Sequence, residues 1–156
     1  MVKNVFKKLG KKQKNNKGFS LVELIVVIAI MAVLVGVLAP QLIKYVEKSR
    51  EATDIQTCDN IATALKTYYA DEEVAASATA TTVTVTLSKT ELGTGTTVDT
   101  AVKDAGLTKA KIKGTKWTHD TITVVYNKAD GTITYTGDSP YYHADKDQFK
   151  KGPKTT

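Results

Sequence analysis

A chain of 156 residues, 42% of them hydrophobic, fits one globular domain with an appendage, and its net charge of +6 would ordinarily point to nucleic acid or an anionic membrane surface. The charge is not spread evenly: residues 1–18 hold seven lysines (Lys3, Lys7, Lys8, Lys11, Lys12, Lys14, Lys17) and no acid, and without those seven the +6 becomes −1, so nucleic acid is not implied by the rest of the chain. A single cysteine, Cys58, excludes an intramolecular disulfide, and with only two histidines the sequence shows no zinc-ligand spacing.

The lysine-rich opening runs into an apolar stretch from Phe19 to Ala39, 21 residues interrupted only by Ser20 and Glu23. As a helix it would be about 31 Å long, enough to cross the hydrocarbon core of a bilayer and longer than the ~7–15 apolar residues of an ordinary signal peptide. "VLA" at 37–39 offers small residues for a conventional cut after Ala39, but Pro40 directly follows and restricts the bond. The lysines predict a cytoplasmic N-terminus, with the chain beyond Pro40 outside. A signal anchor with an external domain is the plain reading, and Glu23 argues against it, because a carboxylate on an apolar helix is costly in lipid.

These residues carry a resemblance. The segment "KGFSLVELIVVIAIMAVLVGVLAP", Lys17 to Pro40, resembles the leader junction and N-terminal helix of type IV pilins and their relatives. The pattern is a basic leader ending in glycine (Gly18), then Phe19, Ser20, an acid at the fifth mature position (Glu23) and a proline at the twenty-second (Pro40). The resemblance covers roughly residues 17–70. It implies that a prepilin peptidase cuts between Gly18 and Phe19 and that the new Phe19 amine is N-methylated. It also gives Glu23 a role: in a bundle of such helices its carboxylate neutralises the Phe19 amine of an adjacent subunit, which sets register because a misplaced neighbour leaves both charges unpaired.

Pro40 is not expected to end the helix. Its ring clashes with the carbonyl of Gly36, itself a weak helix former, which predicts a kink or loosened turn between the two. Either a point that extends on polymerisation or a plain membrane-helix kink fits. Beyond it, Tyr45, Ser49, Ala52, Ile55, Cys58, Ala62, Leu65 and Tyr69 recur at steps of three or four and predict one packed face of an amphipathic stem over 40–74. Lys44, Glu47, Lys48, Arg50, Glu51, Asp54 and Asp59 then fall mostly on solvated faces, with Glu47 and Arg50 paired at i,i+3. Cys58 is expected as a small core residue, and the helix is expected to fade near 71–74.

From residue 75 the composition turns to Ala, Thr, Ser and Gly. "TVTVTL", 82–87, alternates as a half-buried strand, and 98–107 predicts a short helix ending at Gly106 with Thr97 as its cap. The segment 120–137 predicts a hairpin, strands Thr121–Tyr126 and Thr132–Thr136 around "NKADG", with Ile122, Val124, Tyr126, Ile133 and Tyr135 on one face beside Trp117. The tail is expected to be flexible and solvated. Asp138, His143, Asp145 and Asp147 raise calcium, which secretion pseudopilins use in this region, but the tail lacks a full loop of oxygen ligands with its glycine.

The expected fold is therefore α+β: a long N-terminal helix, membrane segment (19–39) plus amphipathic stem (40–74), packed on a small antiparallel β-sheet head (75–156), behind a cleaved leader (1–18). No nucleophile–base grouping or phosphate-cradling loop is visible, so no enzyme, cofactor or metal is expected. The resemblance implies a structural subunit of a type IV pilus, held in the cytoplasmic membrane before assembly and in a surface filament afterwards. Its partners would be identical subunits, prepilin peptidase, an assembly platform and membrane lipid. A pseudopilin of a secretion or DNA-uptake machine shares Glu23, and a non-polymerising membrane-anchored surface domain is the alternative of another class.

Overall fold

A computed structural model describes residues 18–70, 81–92 and 99–154. Helix α1 spans Leu21–Tyr69, with Pro40 inside it. Its first half is made of Leu, Val, Ile and Ala, several of them weak helix formers in water; in lipid a helix satisfies its backbone without solvent. Contacts divide the chain after Pro40 into two compact units, residues 1–40 and 41–156. In the first, the large apolar side chains between Phe19 and Leu38 are all exposed, and the helix is long and apolar enough to cross a membrane.

The second unit builds its core on the last turns of α1. Cys58, Ile61, Ala62 and Leu65 are buried against a three-stranded antiparallel sheet. The strands are β1 (Thr82–Leu87), β2 (Ile122–Asn127) and β3 (Ile133–Thr136), in the order β1-β2-β3. Val85 faces Val124 and Tyr126 faces Ile133 across the ladders. Alternation does what it should: Val83, Val85 and Leu87, then Ile122, Val124 and Tyr126, then Ile133 and Tyr135 point inward, and the threonines of β1 and β3 point out. The β2–β3 turn needs Gly131, whose φ is +70°. Trp117 joins this core, and Cys58 is enclosed by it, which pushes its thiol well above its ordinary pKa.

Several expectations are corrected. The short helix α2 is Thr100–Asp104, and its cap is Asp99, whose carboxylate accepts the Ala101 N–H at 2.9 Å; Thr97 lies outside the described residues, as does the segment 71–74. The tail is not a solvated strand of chain. It forms a hairpin of β4 (Tyr142–Asp145) and β5 (Gln148–Lys151), joined to the β3 side by Tyr135 N–H to Lys146 O and Ala144 N–H to Gly137 O, both at 2.8 Å. Phe149 packs on the Trp117 and Tyr135 rings at 5.8 and 5.2 Å.

The largest correction concerns the start of the stem. Tyr45, Ser49 and Ala52 are exposed, and the buried side chains there are Glu47, Glu51 and Asp54. They form a row of acids at i, i+4 and i+7, one helical face. Above them crosses the loop 111–117, whose polar backbone is satisfied by the row. Asp54 accepts the N–H groups of Lys113 (2.8 Å) and Gly114 (2.7 Å) and the Trp117 indole N–H (2.9 Å). Glu47 accepts the Thr115 N–H and pairs with Arg50 at 3.8 Å. Glu51 accepts the Ser139 hydroxyl at 2.5 Å. Only glycine fits at 114: an added Cβ would lie 2.7 Å from Glu51 Cγ and 2.8 Å from Trp117 Nε1. Buried acids are tolerated here because amides and hydroxyls supply charge-assisted hydrogen bonds.

Candidate processing and assembly site

Gly18, Phe19 and Ser20 precede the helix and are non-helical and exposed; the Phe19 side chain is 90% exposed. The helix begins at Leu21, and its first bond, Leu24 N–H to Ser20 O, measures 3.1 Å. Ser20 is therefore the cap position and Glu23 the third helical residue. The Glu23 Oε2 accepts the Ser20 N–H at 2.8 Å, one half of a capping box. "SLVE" carries the sequence signature of that box, and reasoning from the apolar context alone passed over it. Glu23 thus has a local partner within its own chain, and a carboxylate near a helix N-terminus is further favoured by the macrodipole.

A Cβ added at Gly18 would meet nothing within 4 Å, and its φ is not in the left-handed region. Among the described residues nothing requires glycine there. The same holds at Gly36, where an added Cβ also meets nothing. The helix continues through Gly36 and Pro40 without a break. Phe19 and Glu23 sit together at one end of the apolar segment, Gly36 and Pro40 at the other.

The remaining polar clusters are engaged in structure. His143 Nδ1 lies 2.9 Å from Gly152 O, and Asp145 pairs with Lys150 across the β4–β5 turn. Among the described residues no group of three or more His, Cys, Asp or Glu is placed to hold a metal ion.

Residues 13–39 match the prokaryotic N-terminal methylation motif, a window that contains Gly18, Phe19, Ser20 and Glu23. The chain carries this motif at its N-terminal end. Its similarity to "Prepilin peptidase-dependent protein A" of Clostridium perfringens (strain 13 / Type A) agrees, at 39% identity over 71 residues. That match covers 44% of this chain and half the length of the relative. No solved structure matches the chain.

Proposed function

We propose that this chain is a structural subunit of a type IV pilus, cut by prepilin peptidase between Gly18 and Phe19, methylated at Phe19 and polymerised through the helix that follows. The observation that carries the reading is the junction itself. Gly18 to Ser20 is an open, non-helical segment leading into a helix whose large apolar side chains from Leu21 to Leu38 are all exposed among the described residues. A peptidase needs extended backbone, and an apolar helix outside the head's core needs lipid or other copies of itself. The relative's name, which states dependence on prepilin peptidase, supports the first half, and the methylation motif supports modification of Phe19.

In this reading the basic leader holds the junction at the cytoplasmic membrane face until cleavage. Cleavage leaves a Phe19 amine one turn from Glu23. One carboxylate oxygen keeps the Ser20 N–H, and the other faces a neighbouring subunit's amine in the fibre core. The assembly platform extracts subunits from the membrane, Gly36 and Pro40 give the helix a weak turn for that step, and no catalytic role falls to the subunit.

Glu23 variants test this. Glu23→Gln retains an acceptor for the Ser20 N–H and loses the charge; Glu23→Val loses both. Expressed in place of the native subunit, both should accumulate in the membrane and both should fail to form filaments, because an unpaired amine in the fibre core costs about 3–5 kcal/mol per subunit. Wild-type filament numbers from Glu23→Gln would leave the carboxylate as a helix cap and end the charge-pair account.

A further inference from the structure

Glu51 is the central member of the acid row and is fully enclosed. Its Oε2 takes the Ser139 hydroxyl, and among the described residues its Oε1 has no hydrogen-bond partner. Ser139 is itself committed, its oxygen accepting the N–H groups of Tyr141 and Tyr142 at 3.1 and 2.9 Å. The elements around Glu51 carry many ionisable groups, and among the described residues none pairs with it. On α1 its neighbours are Glu47 and Asp54, with Arg50 turned to Glu47 and Lys48 set over the Tyr141 ring at 5.3 Å. The crossing loop carries Lys111, paired with Glu91 at 3.6 Å, and Lys113 and Lys116, both exposed. The segment that brings Ser139 also carries Asp138, half-buried, and His143, whose Nδ1 lies at the Gly152 carbonyl.

A buried carboxylate between two others, with one oxygen unserved and no cation against it, is a poor resting state; a neutral acid in the same place is tolerable. We infer that Glu51 is the protonated member of the row and makes the anchorage of the 111–117 loop to α1 a proton-dependent latch. When the proton leaves, the new charge needs water or donors. The backbone over it, Gly114 and Ser139, is what must move to admit them, since Gly114 sits against the Glu51 side chain. Burial raises the Glu51 pKa, the Ser139 hydroxyl opposes this, and Glu47 and Asp54 add to the rise. For a carboxyl raised in the folded state, the stabilisation is complete below the unfolded value of 4.5 and is lost as pH climbs through the folded value. Deprotonation of Glu51 loosens the latch as pH rises, opposite to a carboxylate held ionised by its partners.

Amide exchange in the full mature chain in detergent tests this, with protection at Lys113, Gly114 and Thr115 corrected for the intrinsic pH dependence of exchange. Protection should fall as pH rises, by up to roughly tenfold per pH unit, the limit for one proton. Glu51→Gln, the same shape without the titration, should hold it level. A pH-independent wild type, or an equal decline in Glu51→Gln, overturns the latch. Should Glu51→Gln fail to fold, infrared spectra of the wild type with isotope-labelled glutamate decide. A protonated-carboxyl band present at neutral pH and lost in alkali supports the inference, and its absence at neutral pH overturns it.

Discussion

The indole N–H of Trp117 ends on Asp54 Oδ2 at 2.9 Å, 63 residues away in the chain. The same oxygen takes the Gly114 N–H at 2.7 Å, and its twin takes that of Lys113. One carboxylate thus closes a loop that would otherwise bury three donors unsatisfied. Asp54→Ala should cost about 3 kcal/mol or more, since each buried donor left without a partner costs roughly 1–3. Asp54→Asn should cost less, because one acceptor oxygen remains. Denaturant midpoints of the two variants check the order.

Gly114→Ala should destabilise by about 1–3 kcal/mol through overpacking, because its methyl would land on Glu51, Trp117 and Asp54 at 2.7–2.9 Å. Gly36→Ala, where the added carbon meets nothing, should leave the head's denaturation unchanged. A thermal melt of each separates the two glycines.

Gly18→Glu should block processing without altering the fold, as no neighbour lies within 4 Å of an added Cβ. Mass spectrometry of sheared surface protein from wild type should give Phe19 as the first residue, with one added methyl; the variant should retain its seven-lysine leader. A wild-type cut after Ala39 would instead mean ordinary secretion.

Cys58 should resist alkylation in the native chain and react on denaturation. It is fully buried, and burial together with Asp59 and Asp54 holds the thiol protonated far above neutral pH. Labelling by a small maleimide with and without urea reads the contrast directly.

The hairpin of β2 and β3 was legible because Ile122, Val124 and Tyr126 alternate with less buried residues and Gly131 marks the turn. The leader junction was legible for a different reason: its residue types follow one another in a fixed order that needs no tertiary knowledge. Glu47, Glu51 and Asp54 were not legible, since hydropathy assigns acids to water. Their burial depends on the amides of Lys113, Gly114 and Thr115 and on the Ser139 hydroxyl, which no local pattern brings near. The β4–β5 hairpin escaped for want of alternation: neither strand has a fully buried face. Its placement comes from Phe149 finding Trp117 and Tyr135.

Among the described residues the buried hydrophobic core of the head begins at Cys58, with Ile55 packed against it. Substitutions in β1–β3 and the loops around them can therefore accumulate under one set of constraints, while Phe19 to Pro40 answers to another. A chain built this way can change its outward face repeatedly and still present an unaltered N-terminal segment to whatever handles it, so a single piece of machinery could serve many heads.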